Sequence, residues 1–283
     1  MLATYHNRLR VVFAQTARKI VGAIMQRLVY GEYLPEVLGP NFMNKYDLTL
    51  ARYQRFTGYS PNIDPAMVTE FSTAAFRFGH STIRQTFGIN GVQLDLKRIF
   101  DSFITVDRFG NNALLAGLSS DDMEQRDRFF SRGIRDDLLG IMLDLPAFNI
   151  QRGRDHGIPS YNSIRRFFRL PVYRTYAEME GRTHTGETIA KLKMVYPTPD
   201  DIEMFPGGVS ELPVPHGVVG ETFANIIGEQ FRRLKFGDRF WHETDNLVTG
   251  FTNGEELLYF LIVSSQCNEL INRTQNVPRL PYL

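Results

Sequence analysis

Helical periodicity is the sequence feature that most limits what this chain can fold into. Apolar residues recur at three- and four-residue spacing along residues 20–29 and would form one stripe on a helix: Ile20, Val21, Ile24, Met25, Leu28 and Val29. The alternation typical of strands is rare. The pattern predicts a mainly α-helical fold, whose first helix ends near Leu34-Pro35 because proline disfavours α geometry in the preceding residue.

Helix-start residues, prolines and glycines divide the rest of the chain. Asp64-Pro65 predicts the start of a helix that continues through residues 66–87, because aspartate caps free amides and proline fits the first turn. The acidic segment SSDDMEQ at 119–125 predicts a second start, with a helix that ends before Pro146. Further helices are predicted at 160–169, 186–195, 217–235 and 254–272, and irregular connections at 36–63 and 196–217. Without a repeat or a clear linker, we predict a single domain over residues 1–283.

Composition excludes several classes of protein. With 43% apolar and 22% charged residues, 283 residues can bury a sizeable core, and a net charge of +1 argues against a nucleic-acid partner. The most apolar stretch, 11–29, contains three basic residues, so no transmembrane segment is predicted. The first residues lack the apolar core of a signal peptide. The one cysteine, Cys267, can form no internal disulfide.

The stretch AAFRFGHSTIRQTF at 74–87 places two polar residues on one helical face. Arg77 and His80 are three residues apart and therefore point the same way. A neutral imidazole can bind iron, and a neighbouring guanidinium can clamp a carboxylate. Haem offers both an iron and two propionates. The pair also fits a purely structural alternative, in which both residues lie at the solvated edge of a core helix.

The stretch LPAFNIQRGRDHGIPSYN at 145–162 adds a second pair with the same spacing. A histidine that binds iron needs an acceptor for its other ring nitrogen. The oxygen of Asn149 can serve, and Arg152 can meet a second propionate. We interpret Arg154, Asp155 and His156 as structural, with Arg154 paired to Asp155 and His156 hydrogen-bonded near the following turn.

The two stretches AFRFGHSTI (75–83) and LPAFNIQRGRDHGIPSYN closely resemble two signature motifs of the animal haem peroxidase family. Shorter matches keep the family's order: HNRL at 6–9, the segment 17–40, FPGGVSE at 205–211 and the segment 226–241. The resemblance implies a mainly α-helical, multi-helix domain with long irregular connections, and haem b as cofactor. It implies that His80 is the proximal ligand of the haem iron, that Asn149 is its hydrogen-bonding partner, and that Arg77 and Arg152 contact the propionates.

The same resemblance implies that the distal histidine, the distal arginine and the calcium ligands lie upstream of HNRL. We therefore expect no distal catalytic residue and no calcium site here, and a partial domain comprising the proximal and C-terminal portion. No other histidine is expected to act as the distal base: His6, His156, His184, His216 and His242. The family partner of Cys267 would lie beyond Leu283, which predicts a free thiol or an intermolecular bridge.

The resemblance implies a haem-dependent peroxidase that reduces hydrogen peroxide while it oxidises a small-molecule donor. It also implies an extracellular location and a role in the response to oxidative stress. We expect weak or no activity from this chain alone, and a missing N-terminal half or a dimer partner could complete it. The alternative is a non-catalytic haem-binding or interaction protein, or a degenerate fragment.

Overall fold

The computed structural model describes residues 2–51, 55–100, 103–138, 142–246 and 249–251, and these are mainly α-helical, as predicted. The helices are α1 Leu2–Leu28, α2 Leu34–Lys45, α3 Thr69–Thr73, α4 Leu96–Ile99, α5 Phe103–Ser120, α6 Arg132–Arg135, α7 Leu145–Asp155, α8 Tyr161–Phe167, α9 Tyr176–Met179, α10 Gly186–Val195, α11 Met204–Ser210 and α12 Glu221–Phe236. Val29–Tyr33 is a π-helical turn, and Ala75–Thr82 and Pro199–Asp201 are 3₁₀-helical. Strands β1 (Thr86–Ile89) and β2 (Val92–Asp95) form an antiparallel hairpin with Thr86 opposite Asp95.

The described residues pack as two compact units. The first draws on the described residues within 1–35, 47–65 and 232–283, and its core includes Trp241, which packs edge-on against Tyr30 with ring centroids 4.6 Å apart. The second draws on residues 36–46 and 66–231, and one of its clusters contains Tyr161, Tyr173, Tyr176, Met179, Ile189, Leu192 and Ile202. Both predicted haem-contacting stretches belong to the second unit. A single domain over the whole chain stays a prediction.

The predicted helix end near Leu34-Pro35 is wrong. The chain passes from α1 through the π-helical turn into α2, and Leu34 has helical angles, φ −64° and ψ −37°. Pro35, which has no N–H to donate, follows directly after the π-helical turn, where the hydrogen-bond pattern of the helix changes. The kink comes instead at Gly39, with φ 69° and ψ 166°. A side chain there would also meet the carbonyl oxygen of Pro215 at 2.6 Å.

The predicted apolar stripe of the first helix is only partly buried. Ile20 and Ala23 are 6% and 2% exposed, so they form the inner side of α1 together with the following Tyr30. Val21 and Met25 are 59% and 56% exposed. The spacing therefore predicted the helix, but not which of its sides is covered.

The predicted helix over residues 66–87 is broken into shorter elements. Val68 is extended, and α3 begins after it, so Asp64 does not cap this helix. Ala74 leaves helical geometry at φ −130° and ψ −70°, after which the chain continues as a 3₁₀ segment and then as β1. The hairpin was not predicted, although Asn90-Gly91, with φ 51° and 75°, is the turn pair that favours one.

The predicted helix from 119 to 144 is also wrong. Helix α5 ends at Ser120, and residues 121–131 are irregular. The carboxylate of Asp121, expected near the positive end of that helix, accepts instead from the backbone N–H of Gly88 at 2.7 Å. Arg126 is buried and donates to the carbonyl oxygens of Val209 and Val218. Long-range partners thus outcompete the local helix-start signal.

Three of the helices predicted later in the chain are confirmed. Helices α8, α10 and α12 confirm those predicted at 160–169, 186–195 and 217–235, and Thr185 caps α10 by accepting from the N–H of Thr188 at 3.2 Å. The predicted helix at 254–272 lies outside the described residues. The predicted irregular connections contain α2 and α11, so both were partly wrong. Nowhere in the described part of the chain is a helix both long and apolar enough to cross a bilayer.

Candidate functional site

The 3₁₀ segment Ala75–Thr82 positions Arg77 and His80. A 3₁₀-helix has about three residues per turn, so residues three apart lie one above the other, even more directly than in an α-helix. The hydroxyl groups of Ser81 and Thr82 donate to carbonyl oxygens three residues back, at 3.0 and 2.9 Å. The expected common side for Arg77 and His80 is therefore found, on a different kind of helix.

An aromatic cluster anchors this segment to its neighbours. The rings of Phe71 and Phe76 stack with centroids 4.5 Å apart, and Phe231 of α12 approaches both at 5.8 Å. Phe78 is 5% exposed. Such aromatic pairs each contribute about 0.5–1.5 kcal/mol beyond the burial of their area. The backbone that carries Arg77 and His80 is thus held by packing on α3 and α12.

Helix α7 positions Asn149 and Arg152. The side chain of Asp144 accepts from the N–H of Ala147 at 2.9 Å, and Pro146 stands in the first turn. Pro146 therefore opens a helix, whereas the sequence predicted that a helix would end before it. Asn149 is completely buried, and Arg152, one turn later, is exposed.

The buried amide of Asn149 joins the two stretches. Its oxygen accepts from Nη1 of Arg77 at 2.9 Å, and its nitrogen lies 2.9 Å from Nδ1 of His80. The Nε–H of Arg77 also donates to the carbonyl oxygen of Ser72 at 2.9 Å. His80 and Arg77, which lie 69 and 72 positions before Asn149 in sequence, thus both bond to its amide.

The orientation of this amide is opposite to the predicted one. We expected its oxygen to accept from Nδ1–H of His80, but the oxygen faces Arg77 and the nitrogen faces the imidazole. An amide nitrogen can only donate, so Nδ1 accepts and the ring proton is on Nε2. The reason is Arg77, a donor that the sequence could not place against Asn149.

The electrostatics of the site favour a neutral imidazole beside excess positive charge. Burial lowers the pKa of His80, and the nearby charge of Arg77 lowers it further. Burial likewise lowers the pKa of Arg77, with a contribution from the positive charge of Arg152. Within the described part of the chain, Arg152 forms no ion pair with a carboxylate.

This donor set fits a ligand with a metal and two acids. A neutral imidazole is a ligand for iron, and a guanidinium is the preferred partner of a carboxylate. His80, Arg77 and Arg152 supply one nitrogen donor and two cations. The sequence-predicted residues are therefore compatible with haem in chemical type.

The RGRDHG part of the second stretch has structural contacts. Arg154 forms two hydrogen bonds with Glu203, at 2.7 and 3.0 Å, so its predicted pairing with Asp155 is wrong. The hydrogen bonds from Arg154 lower the pKa of Glu203. Asp155 accepts instead from Gln151 at 3.0 Å, and the exposed His156 ends α7. The guanidinium of Arg154 thus pairs with a carboxylate 49 residues away in sequence and not with the adjacent one.

The other described histidines are engaged elsewhere. His184 is fully buried: its Nε2 lies 3.0 Å from the carbonyl oxygen of Gly207 and its Nδ1 lies 3.0 Å from the hydroxyl of Thr183. Burial lowers the pKa of His184 to about 4. In the other unit, Nδ1 of His242 lies 3.1 Å from the side-chain oxygen of Gln26, and burial again lowers the pKa to about 4. His216 is exposed, and the side chain of His6 lies outside the described residues.

A buried polar network behind the site was not predicted. The carboxylate of Glu211 accepts from Arg165 at 2.7 Å, from the hydroxyl of Tyr161 at 2.6 Å and from the N–H of Thr222 at 2.8 Å. Glu211 directly follows α11, which packs against α7, α8 and the 3₁₀ segment. The sequence signal was the FPGGVSE motif, whose glutamate had no assigned role. The network fixes the residue that ends α11, the helix against which both site segments pack.

Comparison with known proteins shows the family. The sequence profile described as animal haem peroxidase matches residues 11–259. The chain is 36% identical to a peroxidasin homolog of Caenorhabditis briggsae over 84% of its own length, but it spans only 19% of that protein. It is 36% identical to peroxidase-like protein 3 of Lottia gigantea, with 86% of this chain and 80% of that protein covered.

Among solved structures, peroxidase A of Dictyostelium discoideum is similar with a TM-score of 0.71 and 34% identity, over 85% of this chain and 48% of that one. The chain thus spans about half of this solved relative and about a fifth of the nematode protein. The profile match covers most of the sequence, including both stretches that supply the site. This chain belongs to the animal haem peroxidase family.

Proposed function

We propose that this chain is the proximal haem-binding portion of a peroxidase, which reduces hydrogen peroxide while it oxidises a small-molecule donor. The observation that carries the proposal is the shared Asn149 amide, which brings His80 of one family motif and Arg77 to α7 of the other. A family that includes peroxidase A of Dictyostelium discoideum supports the activity class.

In this proposal each site residue has a separate task. His80 holds the haem iron through Nε2, and Asn149 orients its ring through Nδ1. Arg77 and Arg152 bind the two propionates, which would relieve the repulsion between their guanidinium groups. Bound haem supplies the oxidation and reduction chemistry. Burial lowers the pKa of His80, which helps keep the imidazole neutral and able to donate its lone pair.

The family also supports an extracellular location and a role in the response to oxidative stress, both as proposals. We further propose that residues 1–283 act as one partial peroxidase domain. A missing N-terminal half or a dimer partner would supply the distal acid–base groups. Calcium ligands would come from that part as well.

A haem-binding protein without peroxidase turnover is the second candidate. It is favoured by the way two described histidines are used: the ring nitrogens of His184 are both engaged, and Nδ1 of His242 faces Gln26. The ring of His184 is therefore not free to shuttle a proton from peroxide. Loss of a general acid–base typically slows catalysis by about 10²–10⁴-fold.

Reconstitution with haem b tests both candidates. We expect one haem per chain with a Soret band that shifts and weakens in His80→Ala, whereas the exposed control His156→Ala binds as the wild type does. Turnover of a phenolic donor above that of free haem, and dependent on His80, supports the peroxidase. Binding that depends on His80 without turnover supports the second candidate. Equal haem binding by wild type and His80→Ala contradicts both.

A further inference from the structure

The Asn149 amide has two neighbours, of which Arg77 can only donate whereas the neutral ring of His80 can donate or accept. Its oxygen accepts from Arg77, so its nitrogen faces Nδ1 of His80. Nδ1 then has no proton, and the neutral ring carries its proton on Nε2. An imidazole protonated on Nε2 has no lone pair there for a metal. In this arrangement, the predicted iron ligand is in the wrong tautomer for binding iron.

Arg77, and not His80, sets the amide orientation. A hydrogen bond from a charged guanidinium is stronger than the neutral bond between the amide and the imidazole. If the Asn149 amide were flipped with Arg77 in place, the amide N–H would face the N–H of the guanidinium. Arg77 is also fixed by its second bond, from Nε to the carbonyl oxygen of Ser72. Asn149 is fully buried, so no solvent replaces a lost partner.

We propose that Arg77 is a positioning residue that sets the tautomer of His80. While Arg77 donates to Asn149, His80 stays in the Nε2–H form. When Arg77 donates to a carboxylate instead, the amide oxygen is released, rotates toward the imidazole and accepts from Nδ1–H. One proton leaves Nε2 and one is gained at Nδ1, so the charge of the ring does not change.

The consequence is an order of events built into the site. Binding of an acid group by Arg77 shifts His80 to the Nδ1–H form, which can ligate a metal through Nε2. A metal without the acid group encounters the Nε2–H form, which cannot. Arg152 makes the exchange easier, since its positive charge disfavours Arg77 in its present place and favours an anion between them. The inference rests on the proposed function for the identity of the acid and the metal, but the tautomer of the haem-free chain does not depend on it.

Imidazole ¹⁵N NMR of the haem-free chain tests the inference directly. With histidine labelled and His80 assigned by loss of its signals in His80→Ala, we expect the Nε2–H form in the wild type at about pH 8, where the ring is neutral. Arg77→Met should raise the ratio of the Nδ1–H to the Nε2–H form by roughly tenfold or more, the worth of one charge-assisted bond. Arg154→Met is the control: it removes a guanidinium of the same helix that pairs with Glu203 instead of Asn149, and the ratio should stay as in the wild type.

A second measurement uses the wild type alone, in case Arg77→Met fails to fold. Metal-free protoporphyrin IX carries the two acids but no iron, and it should shift His80 to the Nδ1–H form. Its dimethyl ester should not. An Nδ1–H form already dominant in the wild type, or a ratio unchanged in folded Arg77→Met, overturns the role of Arg77. A ratio that responds to Arg77→Met but not to protoporphyrin supports that role and counts against haem as the ligand.

Discussion

Replacing Arg165 by methionine would leave the carboxylate of Glu211 buried without its cation. The two side chains are 0% and 1% exposed, and their closest atoms are 2.7 Å apart. Glu211 would keep its bonds from Tyr161 and Thr222, whereas the carbonyl oxygen of Pro171 would lose its donor at 2.8 Å. Removing one member of such a buried pair costs about 3–5 kcal/mol, because the remaining charge is not compensated. We expect Arg165→Met to lower the free energy of unfolding by that amount.

Arg154→Met is the matched control, because it makes the same substitution in an exposed Arg–Glu pair. The side chains of Arg154 and Glu203 are 61% and 26% exposed, and exposed pairs contribute about 0–1 kcal/mol. Urea unfolding followed by far-ultraviolet circular dichroism gives the free energy of unfolding of both variants and the wild type. Similar losses for Arg165→Met and Arg154→Met would refute the reasoning from burial.

The loss in Arg165→Met should also depend on pH. Burial raises the pKa of Glu211 in the folded wild type, and removal of the neighbouring cation raises it further. The folded variant then holds a proton that the unfolded chain releases above its ordinary pKa of 4.5, so stability falls as pH rises beyond that value. The difference from wild type should be smaller at about pH 5 than at neutral pH. A loss that is constant across this range would show that Glu211 does not take up the proton.

Two further predictions concern His184 and α7. Burial lowers the pKa of His184 to about 4, so the unfolded chain binds more protons between that pH and 6.5, and stability falls on acidification through this window by about 3 kcal/mol. In His184→Gln this part of the acid-induced loss in urea unfolding should disappear, whereas the exposed His156→Gln should retain it; equal pH profiles would contradict the assignment. Asp144→Ala removes the cap that accepts from Ala147 and should lower the free energy of unfolding by about 1 kcal/mol. The exposed Asp122→Ala should change it by less than about 0.5 kcal/mol, and a similar loss in both would argue against a capping role.

The sequence by itself determined the features that depend on one or two turns of chain. Helix α10 was predicted at its observed bounds, because its apolar spacing lies within the helix and its cap, Thr185, directly precedes it in sequence. The three-residue spacing of Arg77 and His80 placed them on one side of the segment, although that segment proved to be 3₁₀-helical. Family motifs then connected this pair to Asn149, and the structure brings all three into one hydrogen-bonded group.

Only the tertiary structure decided which partner each polar group takes. Asp121 looks like an acid in the first turn of a helix in sequence, yet it bonds to the backbone of the hairpin, and Arg154 pairs with Glu203 and not with the adjacent Asp155. The orientation of the Asn149 amide was likewise set by Arg77, from a segment 72 residues away. The physical reason is the same in each case. A polar side chain has several possible partners of similar strength among its sequence neighbours. The fold adds a further partner, whose geometry or charge gives a stronger hydrogen bond.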